Sequence, residues 1–243
     1  MGNQQVVPYA DSDLGKKEQI AKMFDSVAHR YDFLNRIMSF GIDHYWRWRA
    51  INQLKAIQPK TILDVATGTG DVAIATMRLK PEKIIGVDIS EEMMVMGREK
   101  LKSRKMDKVI RLEYGDAENL QFADNTFDAI TVAFGVRNFE TLEKGLAELN
   151  RVLRPGGKLV ILELTSPRTF PIKQLYNFYS KYILANIGKF FSKDNSAYTY
   201  LPNSIQAFPE GAAFLNILAN QNFKTTQCTR LTLGTCSLYT ATK

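Results

Sequence analysis

The sequence predicts one α/β domain with a mostly parallel sheet of seven strands and helices on both of its faces. Short apolar segments, typical of buried strands, alternate with longer segments of helical periodicity over residues 61–163. A glycine-rich turn connects the first of these strands to the first of these helices. The chain has 243 residues, of which 45% are hydrophobic, so one large domain can bury both faces of such a sheet.

Two regions precede the alternating pattern. Residues 1–15 lack hydrophobic periodicity, which predicts a flexible tail. Residues 16–243 form the predicted domain, and its first part, residues 16–54, has a helical pattern that is rich in aromatic side chains. Such a pattern predicts a helical lid over the rest of the domain.

Strands and helices alternate after the lid, which indicates a parallel sheet with crossover helices. The predicted strands are residues 61–65, 83–88, 109–114, 127–133 and 158–163. The predicted helices between them are residues 72–79, 91–103 and 140–153. Residues 168–210 interrupt this rhythm as an insertion, and a helix follows at 211–221. Residues 223–242 indicate two strands around Gly234, an antiparallel hairpin at the sheet edge.

The turn after the first strand, residues 64–71, has the sequence Asp-Val-Ala-Thr-Gly-Thr-Gly-Asp. A strand, a glycine-rich turn and a helix N-terminus together form a nucleotide cradle. Gly68, Gly70 and Ala73 formally match the fingerprint of dinucleotide-binding folds. Asp88 stands about 20 residues later, where that fold has its ribose-binding acid. An NAD enzyme is therefore one interpretation.

Two carboxylates favour S-adenosylmethionine over a dinucleotide. Asp64 ends the strand before the turn and Asp71 follows its last glycine, so both would repel a pyrophosphate, whereas S-adenosylmethionine carries an ammonium and a sulfonium. Asp88 and Asp116 end the next two strands, where they would accept hydrogen bonds from the ribose hydroxyls and the adenine amino group. The Ala117 amide would donate to the adenine ring. Each acid alone has the alternative interpretation of a helix N-cap.

Charge and cysteine content limit the class of protein. The formal net charge of +7 favours an anionic partner, either a nucleic acid or a membrane surface, or it only keeps the protein soluble. Cys228 and Cys236 are too few for a disulfide framework and have no metal-ligand company, so we expect a reducing, cytoplasmic location and no metal. We expect no secretory segment or membrane span, because no apolar run is long enough.

Four segments resemble the class I S-adenosylmethionine-dependent methyltransferases and, more narrowly, the ubiquinone/menaquinone biosynthesis C-methyltransferase family. They are residues 31–41 with the following Trp46, the turn at 64–71, residues 133–138 and residues 151–165. The resemblance covers nearly the whole chain after residue 16. One departure is Ala133, where many relatives carry Ser, which leaves a backbone contact with the cofactor.

The resemblance implies methylation of the ring of a polyprenylated demethylmenaquinol, or of a related benzoquinol in the ubiquinone pathway, with S-adenosylmethionine as donor. Methyl transfer from sulfonium to carbon is a direct displacement that depends on positioning and needs no metal. The oxidised quinone is electrophilic, so the nucleophile must be the hydroquinol, particularly after it loses a proton. A cation or a strong hydrogen-bond donor beside that oxygen would stabilise the anion.

Arg137 and Asn138 are the main catalytic candidates, because they follow the fourth strand at the sheet edge where ligands of open α/β folds bind. Tyr31, in the first family segment, is a third candidate, as a contact with the cofactor or the quinol hydroxyl. The alternatives are an ion pair between Arg137 and an acid such as Glu140, and an N-cap role for Asn138 at a helix beginning near Phe139. The predicted cofactor-binding residues are Asp64, Thr67, Gly68, Gly70, Asp88, Ile89, Asp116, Ala117 and Ala133.

Residues 168–193, the first part of the insertion, carry an apolar stripe at helical spacing with lysines outside it. A basic amphipathic helix of this kind would bind an anionic membrane surface or the prenyl tail of the quinol, and the alternative is a helix that only covers the core. We therefore expect a cytoplasmic protein that associates peripherally with the inner face of the membrane, with a homodimer as a further option.

Two other functions fit parts of the sequence. A methyltransferase that acts on RNA, protein or another small molecule would suit the net charge. However, the Asn-Pro-Pro-Tyr motif of amino-directed enzymes is absent after the fourth strand, where residues 133–136 are Ala-Phe-Gly-Val, and we expect no nucleic-acid partner. The other option is a non-catalytic S-adenosylmethionine sensor or prenyl-lipid carrier, against which the Arg137–Asn138 motif and the lid argue.

Overall fold

A computed structural model describes residues 6–179, 182 and 196–243, and within these ranges seven strands form one sheet. The strands are β1 (Thr61–Val65), β2 (Lys83–Asp88), β3 (Ile110–Tyr114), β4 (Phe127–Ala133), β5 (Leu153–Leu164), β6 (Lys224–Leu231) and β7 (Cys236–Thr242). Their order is β3-β2-β1-β4-β5-β7-β6, and β7 runs antiparallel to both of its neighbours. The predicted mostly parallel sheet with an antiparallel C-terminal hairpin is confirmed.

The α-helices of the described ranges cover both faces of the sheet. They are α1 (Lys16–Met38), α2 (Asp43–Asn52), α3 (Asp71–Thr76), α4 (Glu91–Ser103), α5 (Leu142–Val152), α6 (Ile172–Phe178), α7 (Ser196–Ala207) and α8 (Ala212–Asn220). On one face, Leu149 of α5 and Phe214 of α8 belong to the same buried cluster as Leu63 of β1. On the other face, Met94 of α4 belongs to a cluster with Ile62. Successive residues of β1 thus face opposite sides of the sheet.

The order of the strands reverses beside β1. From β1 the chain passes outward to β2 and β3, and it then returns to β4 on the other side of β1. In open α/β sheets, ligands bind outside the carboxyl ends of the strands at such a point. The carboxyl ends of β1 and β4, at Val65 and Ala133, therefore mark the position of the site.

Residues 6–15, the described part of the N-terminal segment, lie against helices α1 and α7. Residues 6–15 form no helix or strand, as expected for this region. However, the Tyr9 N–H donates to Oε1 of Gln19 at 2.9 Å, and Tyr9 packs with a buried cluster that includes Ile20 and Tyr200. This part of the predicted tail is therefore in contact with α1 and α7.

Two predicted elements differ in extent from the structure. The predicted helix 72–79 is α3 followed by a 3₁₀ turn at Met77–Leu79. β5 begins at Leu153 rather than at residue 158, because Leu153 already pairs with Phe127 and the pairing with β4 resumes after a bulge. The insertion contains α6 and α7, whereas residues 180–181 and 183–193 of the predicted amphipathic segment lie outside the described residues. None of the helices in the described ranges is long and apolar enough to cross a membrane.

Candidate active site

The turn between β1 and α3 has a backbone that few residue types adopt easily. Ala66, Gly68 and Gly70 have φ angles of 53°, 54° and 81°, in the left-handed region. A Cβ added to Gly68 would meet nothing within 4 Å, so the backbone borders open space here. After β4, Gly135 approaches the turn so closely that an added Cβ would overlap the Cβ of Ala66. The ends of β1 and β4 thus present closely spaced backbone at the site.

A cavity of about 70 Å³ lies over these strand ends, and six of the predicted cofactor-binding residues line it. These six are Gly68, Asp88, Ile89, Asp116, Ala117 and Ala133. The lid helix α1 contributes Phe24 and Tyr31 to the lining. The remaining predicted residues, Asp64, Thr67 and Gly70, lie outside it. The structure therefore brings the three successive strand ends together, and we call this space the cofactor cavity.

Asp88, the last residue of β2, lines the cofactor cavity. Each of its two carboxylate oxygens accepts a hydrogen bond from a backbone N–H. Its Oδ2 accepts a hydrogen bond from the Gly68 N–H at 2.7 Å, and its Oδ1 accepts one from the Ser90 N–H at 2.9 Å. Burial raises the pKa of Asp88, although these N–H donors oppose the shift. Each carboxylate oxygen accepts more than one hydrogen bond, so Asp88 retains capacity for two ribose hydroxyls.

Asp116, after β3, is paired with a lysine of the lid. Nζ of Lys17 lies 2.6 Å from Oδ2 of Asp116, and the Glu118 N–H donates to Oδ1 at 2.9 Å. Nζ of Lys17 is also 3.9 Å from a carboxylate oxygen of Glu118. Lys17 thus occupies the acceptor at which the adenine amino group is predicted to bind.

Asp64 faces the protein interior rather than the cavity, contrary to the role expected from the sequence. Its carboxylate accepts hydrogen bonds from the hydroxyls of Thr67 and Thr131, both at 2.6 Å, and from the Ala73 N–H at 3.1 Å. Burial raises its pKa to about 6 in spite of these donors. Asp64 and Thr67 therefore tie the turn to β4 and to α3.

Asp71, the acid at the other end of the turn, is compensated by two cations. Its carboxylate lies 2.9 Å from Nη1 of Arg47 and 2.9 Å from Nζ of Lys100. Burial opposes its ionisation, but the two cations outweigh burial and lower the pKa of Asp71. Lys100 also pairs with Asp32 at 2.5 Å, and Asp32 accepts a hydrogen bond from the Thr69 hydroxyl at 2.6 Å. Asp71 thus joins the turn to α2 and α4, and neither Asp64 nor Asp71 lines the cofactor cavity.

A second, larger cavity of about 290 Å³ adjoins the first. Residues of α1, α2, α6 and α7 enclose it, and most of its lining is apolar. Phe24, Tyr31 and Phe134 line both cavities, so the two spaces meet at these three side chains. Burial raises the pKa of Tyr31, which keeps its hydroxyl protonated at neutral pH. We call the larger space the apolar cavity.

Arg137 lines the apolar cavity and forms a buried ion pair with Glu163 of β5. Its Nη1 lies 2.6 Å from Oε1 of Glu163, and the exposed fractions of the two side chains are 6% and 0%. The same carboxylate accepts the backbone N–H of Arg137 at 3.1 Å and that of Leu164 at 2.9 Å. Burial disfavours the charge of Arg137, but Glu163 outweighs burial and raises its pKa. Arg137 thus forms an ion pair, as the alternative interpretation expects, but its partner is Glu163 rather than Glu140.

Asn138 lines the cofactor cavity from the 3₁₀ turn that follows β4. Its Oδ1 accepts a hydrogen bond from the Tyr200 hydroxyl at 3.0 Å. The N-cap alternative for Asn138 is wrong, because α5 begins later, after the N-cap residue Thr141. The backbone N–H groups of Glu140 and Thr141 donate to the Glu118 carboxylate at 2.7 and 3.0 Å, which satisfies the start of that helix.

The sequence is similar to that of known methyltransferases. The ubiE/COQ5 methyltransferase family matches residues 13–243 of the chain. The chain belongs to this family. A demethylmenaquinone methyltransferase of Bacteroides fragilis is 54% identical over 241 residues, which cover 99% of this chain and 98% of that protein. A ubiquinone/menaquinone biosynthesis C-methyltransferase of Geotalea daltonii is 46% identical over 230 residues, which cover 94% and 97% of the two chains.

Solved structures extend the comparison of the fold beyond the family. A putative S-adenosyl-L-methionine-dependent methyltransferase from Methanococcus maripaludis superposes with a TM-score of 0.61 at 18% identity, covering 97% of each chain. A methyltransferase from Thermotoga maritima gives a TM-score of 0.59 at 17% identity, covering 91% of this chain and 99% of that one. The predicted Rossmann-like class I methyltransferase fold is therefore confirmed.

Two residues of this family member were missed by sequence reasoning. Glu163 carries a signal, because it is the single acid among the apolar residues 159–164, and a buried carboxylate needs a cationic partner. Tyr200 carries no comparable signal, because it lies in the insertion, far in sequence from Asn138. Both residues hold the predicted catalytic pair in place.

Proposed function

We propose that the protein methylates the ring of a polyprenylated demethylmenaquinol to give menaquinol, with S-adenosylmethionine as the methyl donor. The observation that carries the proposal is the junction of the cofactor cavity with the apolar cavity at Phe24, Tyr31 and Phe134. A nucleoside cofactor and a prenylated ring require two such spaces, with the reacting atoms at their junction. Relatives named for menaquinone and ubiquinone biosynthesis support the same reaction, with a ubiquinone-pathway benzoquinol as the second class of acceptor.

The residues of the cofactor cavity fit S-adenosylmethionine. The open space beside Gly68 leaves room for a ligand against the backbone. Asp88 has acceptor capacity for the ribose hydroxyls, and Asp116 with Ala117 is suited to adenine. Lys17 shares or releases Oδ2 of Asp116 when the adenine amino group binds. S-adenosylmethionine, when bound, supplies an electrophilic methyl group.

The residues around the junction favour the reactive form of the quinol. Arg137 places a permanent positive charge at the wall of the apolar cavity, which stabilises a quinolate oxygen. The Glu163 carboxylate fixes the guanidinium and offsets part of its charge. Because the guanidinium stays protonated, the quinol proton leaves to water rather than to Arg137. The aromatic rings of Phe24 and Phe134 line the junction from both cavities.

The proposed function is tested by transfer of labelled methyl groups to a short-chain demethylmenaquinol, with the oxidised quinone as the matched control. We expect label in menaquinol only when the substrate is reduced, because the quinone ring is electrophilic. Total RNA is offered in a parallel reaction. Label in RNA with none in the quinol would instead identify an RNA methyltransferase, and cofactor binding without transfer to any acceptor would identify a non-catalytic binding protein.

We further propose that the protein binds peripherally to an anionic membrane surface at the cytoplasmic face. Two segments expose large apolar side chains, namely Phe33, Ile37 and Phe40 near the end of α1, and Phe170, Leu175 and Phe178 in and before α6. The ring of Phe40 contacts that of Tyr179, so the two segments are adjacent. Phe40 is 76% exposed and also lines the apolar cavity, which connects this surface with the space for a prenyl tail.

Sedimentation with lipid vesicles tests the membrane proposal. Binding should be stronger to anionic than to neutral vesicles and should weaken with salt, because the net charge is +7. Phe40→Ser and Phe178→Ser should weaken binding, whereas Val95→Ser, which changes an exposed apolar residue of α4, should not. Equal binding to neutral and anionic vesicles would count against the electrostatic part. A homodimer stays a prediction, which light scattering of the free protein checks.

A further inference from the structure

One hydrogen bond links the insertion to the residues that follow β4. Tyr200 of α7 lines the apolar cavity and is 3% exposed. Its hydroxyl donates to Oδ1 of Asn138, which lines the cofactor cavity, at 3.0 Å. A side chain in the wall of one cavity therefore holds a side chain in the wall of the other.

This bond and the carbonyl oxygen of Phe134 together determine which way the amide of Asn138 faces. An amide has an acceptor end and a donor end, and the Tyr200 hydroxyl engages the acceptor end. Nδ2 then points toward the carbonyl oxygen of Phe134, at 3.5 Å, which also accepts a hydrogen bond from Nη1 of Arg137. A rotated amide would place Oδ1 against that carbonyl, two acceptors facing each other. The tyrosine thus keeps a donor on the side of the predicted catalytic residues.

The Tyr200 hydroxyl is suited to this role over the whole neutral range. Burial raises the pKa of Tyr200 to about 12, and the nearby Arg137 only partly opposes the shift. The hydroxyl therefore remains a donor and does not act as a base. Leu201 and Ile205 of the same helix also line the apolar cavity. A substrate in this cavity would therefore contact the helix that carries the Tyr200 hydroxyl.

We propose that Tyr200 is a positioning residue for methyl transfer, which acts by orienting the amide of Asn138 and not by contact with the reacting atoms. The inference rests on the proposed function, because it assigns the residue a part in that reaction. In this proposal the insertion both encloses the substrate and positions Asn138, because the Tyr200 hydroxyl belongs to α7.

Tyr200→Phe is the primary test, because it retains the ring and removes only the hydroxyl. We expect kcat with reduced demethylmenaquinol to fall about tenfold, equivalent to about 1.4 kcal/mol, while KM for the quinol changes less than about twofold. Tyr239→Phe is the matched control: Tyr239 is fully buried, and its hydroxyl accepts a hydrogen bond from the Gly211 N–H at 2.9 Å. It lies outside both cavity linings, so its loss should lower the melting temperature without lowering kcat.

Combination with Asn138→Ala separates positioning from direct contact. If Tyr200 acts through Asn138, kcat of the double variant should equal that of Asn138→Ala alone. Asn138→Asp, which keeps the acceptor for Tyr200 and loses the Nδ2 donor, repeats the test in case the alanine variant does not fold. An unchanged kcat in Tyr200→Phe, or losses that multiply in the double variant, would overturn the inference. A wild-type protein that fails to methylate the quinol would instead refute the proposed function itself.

Discussion

The two adjoining cavities are built from different parts of the chain. The cofactor cavity rests on strand ends, and its residues follow those strands within short motifs, as Gly68 and Asp88 do. The apolar cavity is lined by helices that are far apart in the sequence, for example by Met23 of α1 and Ile205 of α7. The sheet therefore fixes the position of the cofactor, whereas the substrate space depends on how distant helices pack together.

The largest effect is expected where the two cavities meet. Arg137→Gln should lower kcat by about 10²- to 10³-fold, the usual loss when a group that stabilises a developing oxyanion is removed. It should also lower the free energy of unfolding by about 3–5 kcal/mol, because Glu163 is left as an uncompensated buried charge. Steady-state kinetics and urea unfolding measure the two losses.

A paired variant distinguishes the catalytic role of Arg137 from its structural role. Glu163→Gln added to Arg137→Gln should restore most of the stability, because no buried charge then remains in the pair. It should not restore kcat, because the guanidinium is still missing. Recovery of kcat in this double variant would show that the charge of Arg137 is not needed for the reaction.

The next largest effect is expected in the cofactor cavity. Asp88→Ala should weaken the binding of S-adenosylhomocysteine by about 100-fold, since two hydrogen bonds to a charged acceptor are lost at about 1.5 kcal/mol each, the low end of the usual range. Isothermal titration calorimetry gives the affinity. Asp107→Ala, which removes an exposed acid outside the cavity lining, is the matched control. An unchanged affinity for Asp88→Ala would refute the ribose role of this carboxylate.

Asp64 is the matched case for Asp88, because it lies next to the end of the neighbouring strand β1 and faces inward. Asp64→Asn should change the affinity for S-adenosylhomocysteine less than about threefold, since its carboxylate bonds Thr67, Thr131 and the Ala73 N–H rather than a ligand. The same calorimetric titration checks this expectation. A loss as large as that of Asp88→Ala would mean that Asp64 contacts the cofactor after all.

The pH dependence of stability is a second property of Asp64. Its pKa is about 6 in the folded protein against 3.8 for the ordinary carboxyl, so the folded state holds the proton more tightly. This contribution to the free energy of unfolding is present below about pH 4 and is lost as the pH rises to about 6, on the order of 3 kcal/mol. Urea unfolding between pH 4 and 7 should show a steeper fall for the wild type than for Asp64→Asn, which retains only the contribution of other buried acids such as Asp88. Parallel curves for the two proteins would contradict the assignment.

A moderate effect is expected for partial filling of the apolar cavity. Leu201→Trp adds volume to its wall and should raise KM for a long-chain quinol about tenfold, more than for a short-chain one. The affinity for S-adenosylhomocysteine should stay unchanged, because Leu201 lies outside the lining of the cofactor cavity. Kinetics with acceptors of two tail lengths measure the difference. An equal rise in KM for both lengths would place the tail elsewhere.

The sequence predicts the sheet well, because its signals are local. A strand, its terminal acid and the next helix are close in sequence, so Asp88 and Asp116 could be placed at neighbouring strand ends, and the structure brings both into one cavity. The direction in which a side chain points is not a local property. Asp88 is the last residue of β2, whereas Asp64 is the residue before the last in β1, where its side chain is directed inward and accepts a hydrogen bond from Thr131 of the neighbouring strand.

The substrate side was less accessible to sequence reasoning, because its contacts join distant segments. The alternative interpretation of Arg137 names Glu140 as an example of a partner because it is near in sequence, whereas the actual partner, Glu163, lies next to the end of the adjacent strand β5. Tyr200 reaches Asn138 from the insertion, which has no periodic link to the sheet. Such pairs follow from the packing of segments that are distant in sequence. A single acid in an apolar strand, such as Glu163, indicates that a cationic partner is needed but not which residue supplies it.

A crystal structure with S-adenosylhomocysteine and a non-reactive demethylmenaquinol analogue tests the central claim most directly. We predict the ribose hydroxyls on Asp88 and the quinol ring in the apolar cavity beside Arg137, with its unmethylated carbon facing the sulfur past Tyr31. A cofactor outside the strand ends, or a ring that binds away from the junction of the two cavities, would contradict it.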